Sequence, residues 1–233
     1  VACKTNNIRV VHTPDANSEA VVEFVLATML PKLRPMEQVV GAMDLAQWSK
    51  SRDSAMCSSQ FNEMTLGIVG FGRIGGRLGR IARSMGFRVL FHDIADIEQT
   101  HGCESSNLDT LLGDSQAVSI HVDGRKENKH LCDATFFSKM KAGAVFINTS
   151  RGVVVDSQAL ANHVSLDPKS SAILDVHDPE PIEATYPLLG LPNVSLYPHA
   201  ACKTQTATIN MGWVVKDVDA VLRGKTPKFE SSL

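Results

Sequence analysis

Between residues 61 and 200, short runs of consecutive apolar residues alternate with segments of helical periodicity. The runs at 65–69, 87–92, 117–121, 144–148, 172–176 and 194–197 predict six strands. Three- and four-residue spacing between them predicts helices over 74–85, 108–112, 134–140 and 157–163. Strands that are apolar throughout belong in a sheet covered on both faces, and strand–helix alternation makes that sheet parallel. The pattern therefore predicts an α/β fold with a doubly wound parallel sheet.

Ahead of the sheet, residues 8–11 form a short β-branched run that Pro14, Asp15 and Asn17 break. Val21, Val25, Leu26, Met29, Leu30 and Leu33 then recur at helical intervals, predicting a helix over 17–33 that Pro31 and Pro35 bend or end. Residues 36–60 carry little periodicity and read as an irregular connection. A last helical run, 204–222, extends past the sixth strand with no partner visible in the pattern.

Composition narrows the class. The 233 residues, 43% hydrophobic and 21% charged, are those of a globular chain able to bury a sizeable core, which excludes disorder and fibres. Lysine and arginine number 23 against 25 aspartate and glutamate, a net charge of -2, so nucleic-acid and membrane partners are not expected. Cys3, Cys57, Cys103, Cys132 and Cys202 are scattered with no C-x-x-C pair. No metal site is expected, and the free thiols suggest a reducing, cytoplasmic location. The longest mainly apolar stretch, 20–30, contains Glu23 and is far short of the roughly 20 apolar residues a spanning helix needs. The opening VACKTNN has neither an initiating Met nor the pattern of a signal peptide, and the sequence reads as cut at its start.

The first predicted strand runs into G-x-G-x-x-G at Gly70, Gly72 and Gly75, which opens a helix. The first glycine permits a tight turn, the second lets a pyrophosphate reach the backbone, and the third lets helix and strand pack closely. The helix N-terminus faces the phosphates with N–H groups. Asp93 ends the next predicted strand, where a carboxylate accepts hydrogen bonds from a ribose. It also repels a 2′-phosphate, and the following residue is Ile94, so NAD is expected over NADP. A Rossmann domain is the reading.

Four further segments carry a resemblance. Residues 140–156 (MKAGAVFINTSRGVVVD), 174–181 (LDVHDPEP), 197–200 (YPHA) and, upstream, 13–23 (TPDANSEAVVE) resemble, with the glycine turn, the ordered motifs of the D-isomer-specific 2-hydroxyacid dehydrogenases. The resemblance implies an NAD-dependent oxidoreductase that moves a hydride between the nicotinamide and C2 of a D-2-hydroxy or 2-oxo acid. By position it makes Arg151 the substrate-binding arginine, Glu180 the acid paired with the catalytic histidine and His199 the proton donor. Asp175 would hold the carboxamide, and Arg73, Ile74, Asp93, Val122, Thr149 and Ser150 would line the NAD pocket. It also implies a homodimer through the cofactor domain, with the helix near 17–33 contributing.

The chemistry supports these residue types independently. Reduction of a 2-oxo acid develops negative charge on the carbonyl oxygen, which needs a fixed cation and a nearby proton donor. Arg151 offers a planar fork for a carboxylate, and a carboxylate at Glu180 would favour the charged form of a neighbouring imidazole. The three residues follow the fourth, fifth and sixth predicted strands, at the carboxyl ends where open α/β sheets bind ligands. His92, His121 and His177 are expected to be structural or pocket-edge residues, and Cys202 a packing residue.

Two departures qualify the resemblance. Where most members have a Pro-Leu-Thr-like turn this chain reads His121-Val-Asp-Gly-Arg-Lys-Glu-Asn128, and most of a flavodoxin-like substrate domain is absent from the sequence. The expected division is 1–16 as the end of that domain, 17–200 as the NAD-binding domain, and 201–233 as a helix returning to the substrate domain. Residues 175–177 and 198–201 and the altered turn also resemble the C-terminal-binding protein corepressors, which have Trp where this chain has Cys202. The alternatives are thus an NAD(H)-sensing corepressor and a chain that only binds nucleotide.

Overall fold

The computed structural model describes residues 2–36 and 38–231. Along the chain lie α1 (Ala2–Thr5), α2 (Ser18–Leu33), α3 (Leu45–Ser54), β1 (Thr65–Val69), α4 (Arg73–Ser84), β2 (Arg88–His92) and β3 (Glu104–Ser105). They are followed by α5 (Leu108–Asp114), β4 (Ala117–Ile120), α6 (Ala134–Ser138), β5 (Val145–Asn148), α7 (Ser157–Leu166), β6 (Ser171–Leu174), β7 (Val194–Leu196), α8 (Gln205–Gly212) and α9 (Val214–Leu222). The strands form one sheet in the order β3-β2-β1-β4-β5-β6-β7, and every pair is parallel.

Alternate residues of β1, β2, β4, β5 and β6 feed two cores, one on either face of the sheet. Leu66 and Ile68, Val89 and Phe91, Val145 and Ile147, and Ile173 pack under α2 and α4, against Val22, Val25, Met29, Leu78 and Ala82. Leu90, Val118, Ile120, Phe146, Ala172 and Leu174 face the other way, under α5, α6 and α7, against Leu111, Leu112, Phe137, Leu160 and Val164. Each large side chain buried this way contributes about 1.5–3 kcal/mol. Asn107, Asp133, Asp156 and Thr204 cap the N-termini of α5, α6, α7 and α8 by accepting from backbone N–H groups of the first turn. α2 continues through Pro31 to Leu33, so that proline does not end it.

The six predicted strands are present with ends shifted by no more than two residues, and a seventh was not predicted. β3 has only Glu104 and Ser105, both exposed, and is held by backbone pairing to Leu90 and Phe91; it leaves no apolar run to read. The connection 36–60 is not wholly irregular. α3 stands on a reciprocal capping box in which Gln47 N–H donates to Asp44 Oδ1 at 2.8 Å and Asp44 N–H donates to Gln47 Oε1 at 3.0 Å. No residue of α3 is buried, which is why its sequence shows no apolar stripe. The run 204–222 is two helices meeting at Trp213, after Gly212, a poor helix former.

Residues 8–11 do not make a strand of their own. Val11 bridges Glu230, Ser231 N–H donates to the Val10 carbonyl at 2.8 Å, and Arg9 grips the Glu230 carboxylate at 2.7 and 2.8 Å. Asp217 of α9 accepts from the N–H groups of Lys228 and Phe229, fixing the other side of this clasp.

Candidate active site

The site is built from loops at the carboxyl ends of the strands. After β1, Gly70 turns the chain at φ +90°, where a side chain would be strained, and a Cβ there would lie 2.7 Å from the His121 backbone. A Cβ at Gly75 would strike the Gly70 carbonyl oxygen, so α4 can pack this close only with glycine. At Gly72 a Cβ would meet nothing: the protein itself does not require that glycine, and the space before it is open. α4 begins at the next residue without a side-chain cap or an acidic residue in its first turn. Its N-terminal N–H groups are therefore suited to an anion.

Asp93, just past β2, accepts from Phe71 N–H at 2.6 Å and Ala95 N–H at 2.9 Å, which fixes its carboxylate beside the glycine turn. A cavity of about 430 Å³ lies here, lined by Gly70, Gly72, Arg73, Asp93, Val122 and Arg125 among others. Five of the expected cofactor residues thus come together. Ile74 does not line the cavity; its side chain packs toward the core under α2. The unusual turn after β4 closes on itself, with Asp123 Oδ1 and Oδ2 accepting from Arg125 at 2.7 and 2.8 Å and Oδ1 from Asn128 at 2.9 Å. The Arg125 guanidinium holds the Asp123 carboxyl below its ordinary range.

Beyond β5, the buried Asn148 organises the turn: its Oδ1 accepts from Ser150 N–H at 2.9 Å and Oγ–H at 2.8 Å, and its Nδ2 donates to the Arg151 carbonyl at 3.0 Å. Thr149 Oγ1 is buried without a hydrogen-bond partner, a group that a bound molecule could satisfy. Arg151 is exposed; its Nη1 donates to the Ser150 carbonyl at 2.6 Å, and among the described residues no carboxylate pairs with it.

Past β6 and β7 the two remaining loops interlock. Asp175 is buried, and its two oxygens accept from the N–H groups of Ala200 and Ala201 at 2.7 and 2.8 Å, while its carbonyl accepts from His199 N–H at 2.8 Å. Both carboxylate oxygens are thus engaged in shaping the turn that carries His199. Glu180 Oε2 accepts from His199 Nδ1 at 2.8 Å, and Oε1 accepts from His177 N–H at 2.8 Å. The His199 and Glu180 side chains remain 46% and 35% exposed, so the dyad opens to a ligand. Burial pushes the Glu180 carboxyl up, but the bonds from His199 and from the His177 N–H outweigh it and leave the group below its ordinary value. Gly152 ties the two halves together, because a Cβ there would strike the His177 carbonyl group.

The structure places Arg151, Glu180 and His199 on the loops after β5, β6 and β7, and His177, expected as a structural or pocket-edge residue, is buried between them; Asn148, which holds the Arg151 turn, is not among the residues expected from the sequence. An asparagine ending an apolar strand just before Thr-Ser-Arg-Gly was a usable signal for Asn148. Among the described residues no group of three or more His, Cys, Asp or Glu side chains could hold a metal ion, and no helix is long and apolar enough to cross a membrane.

The sequence model of the D-isomer specific 2-hydroxyacid dehydrogenase NAD-binding domain matches residues 26–201. The chain belongs to this family. Members are NAD-dependent oxidoreductases acting on the CH–OH group of 2-hydroxy acids. A glyoxylate reductase of Aeropyrum pernix is 33% identical over 97% of this chain and 70% of its own length. A glyoxylate/hydroxypyruvate reductase B of Klebsiella pneumoniae is 34% identical over 97% of this chain and 72% of its own length. Among solved structures, D-lactate dehydrogenase from Aquifex aeolicus, complexed with NAD and lactic acid, is similar with a TM-score of 0.80 and 29% identity over 96% of this chain and 72% of that one. The residues fit NAD: the open space at Gly72, the uncapped start of α4, the fixed carboxylate of Asp93 and the unpartnered Thr149 hydroxyl are features a dinucleotide would use.

Proposed function

We propose that this family member interconverts small 2-oxo acids and D-2-hydroxy acids, with glyoxylate and hydroxypyruvate as the first substrates to try, as in the relatives just named. The observation that carries the reading is the 2.8 Å bond between His199 Nδ1 and Glu180 Oε2, two strand ends from the unpaired Arg151. A carboxylate can only accept, so Nδ1 carries the hydrogen and Nε2 is the nitrogen left for substrate. Arg151 binds the substrate carboxylate and polarises its carbonyl. His199 Nε2 gives the proton to the developing alkoxide, and Glu180 stabilises the imidazolium that makes this possible. NADH, when bound, supplies the hydride that C2 accepts. In the oxidative direction Nε2 takes the hydroxyl proton back.

In this reading Gly70, Gly72, Gly75, Arg73 and the N-terminus of α4 hold the pyrophosphate, Asp93 the ribose, and Val122, Thr149 and Ser150 the nicotinamide side; Ile74 contributes through its backbone. Asp175 keeps its turn in shape, with its carboxylate turned to Ala200 and Ala201. Residues 1–16 and 201–233 are the edge of a substrate domain, around the sheet domain 17–200. A cytoplasmic homodimer acting on small molecules, without nucleic-acid or membrane partners, agrees with five free thiols and a net charge of -2.

The test is NADH oxidation against glyoxylate, hydroxypyruvate and pyruvate, with Arg151→Ala and His199→Ala alongside and NADH binding followed by fluorescence. Each variant is expected to lose about 10²–10⁴-fold in kcat/KM while binding NADH normally. Undiminished turnover in His199→Ala would remove the assigned acid. NADH binding with no turnover of any acid would sink the enzyme reading and leave a nucleotide-responsive binder.

A further inference from the structure

We infer that His177 is a positioning residue that sets the alignment of the Glu180–His199 pair, an inference that rests on the catalytic reading of that pair. His177 is buried, yet it makes bonds toward each loop of the site. Its backbone N–H donates to Glu180 Oε1 at 2.8 Å, which leaves Oε2 for His199. Its ring Nε2 stands 2.8 Å from the Tyr197 carbonyl oxygen, two residues before His199. A carbonyl only accepts, so Nε2 carries the hydrogen and Nδ1 accepts from the Tyr186 hydroxyl, 3.3 Å away. The Ser157 hydroxyl donates to Tyr186 in turn at 3.3 Å. The chain of donors from α7 thus has one direction and fixes the His177 tautomer. Its carbonyl group lies against Gly152, beside Arg151.

The strain in the site explains why such a clamp is needed. His199 sits at φ +52°, in the left-handed region that a residue with a side chain enters at a cost of about 1 kcal/mol or more. Such a conformation persists only where its surroundings over-determine it. Asp175 holds the far side of the turn through His199, Ala200 and Ala201 N–H, and on the near side the Tyr197 carbonyl is held by His177. Removing the His177 donor frees the near side and with it the direction of His199 Nε2.

His177→Phe keeps the ring volume and the N–H to Glu180 but lacks the donor; His177→Gln can return an N–H to the Tyr197 carbonyl. The expected result is a fall in kcat of about ten- to a hundred-fold in the Phe variant, the size of effect a small misplacement of a reacting group produces. NADH binding should stay unchanged, the alkaline limb of the kcat profile should move to lower pH, and the Gln variant should recover both kcat and limb. Any other pattern in these measurements overturns the inference. Should the Phe variant fail to fold, Tyr186→Phe removes only the hydroxyl on Nδ1 and is expected to move the same limb; an unmoved limb and kcat overturn it equally. Proton NMR of the whole chain separates this from failure of the catalytic reading. The His199 Nδ1–H resonance, assigned by its loss in His199→Ala, should broaden in His177→Phe even if no acid is turned over, and a resonance unchanged in the variant would refute the clamp.

Discussion

His121 borders the cofactor cavity with Nε2 2.8 Å from Ser119 Oγ, and burial pushes its pKa from the ordinary 6.5 down to about 4. The folded protein therefore favours the neutral ring. Above pH 6.5 both folded and unfolded chains carry it uncharged and nothing is lost. Between 6.5 and about 4 the unfolded chain takes up a proton that the folded one refuses, so stability falls as the pH drops. At about 1.4 kcal/mol for each pH unit, this residue accounts for a loss of roughly 3 kcal/mol by pH 4. Urea unfolding at pH 7 and pH 4.5 should show a smaller drop in His121→Gln than in the wild-type chain, and equal drops would disprove it. At this scale the sequence was informative where chemistry is local. Arg151, Glu180 and His199 are read from the segments that contain them. For His177, expected as a structural or pocket-edge residue, the partners were not legible, because Tyr186 and Tyr197 lie 9 and 20 residues away and meet it only when β6 and β7 pair.

The unit β1–α4–β2 shows how an element carries specificity. Asp93 does two things here: it fixes the turn through Phe71 and Ala95 N–H, and it places negative charge at the lip of the cavity. Asp93→Ala would disturb both. Asp93→Asn removes the charge and keeps an acceptor for one of the two N–H groups, a smaller disturbance of the turn that both nucleotides share, so it should narrow the preference for NADH over NADPH by roughly tenfold, about 1.4 kcal/mol. Fluorescence titration with both nucleotides checks this, and an unchanged ratio would mean that charge does not set cofactor choice. Short, mainly apolar runs made β1, β2, β4, β5, β6 and β7 readable, since such runs belong in a sheet covered on both faces. β3 and α3 lack that signal; one is a two-residue backbone pairing at the sheet edge, and the other a helix with no buried face.

Across the whole molecule the apolar surface is unevenly covered. Met36, Val39, Val40, Met43, Leu45, Trp48 and Met56 are all exposed, within or beside the connection that carries α3. The proposed homodimer would cover them, at a gain of about 25 cal/mol for each Å² of apolar area removed from water. Sedimentation velocity should find a dimer that Val40→Asp with Leu45→Asp converts to monomer without unfolding the sheet. A monomeric wild-type chain, or a dimer indifferent to both aspartates, would contradict the proposal. By itself the sequence determined six of the seven strands, the glycine turn, the choice of an acidic residue after β2, and the order of the arginine, glutamate and histidine. These are local features: a buried run, a forced turn and a charged side chain each declare themselves over a few residues. Only the tertiary structure decided that the loops carrying residues 151, 180 and 199 leave the same edge of the sheet, because that follows from the parallel pairing of β5, β6 and β7. It likewise decided which glycines are forced by close backbone approach and which groups His177 bonds, since both depend on contacts between residues far apart in the chain.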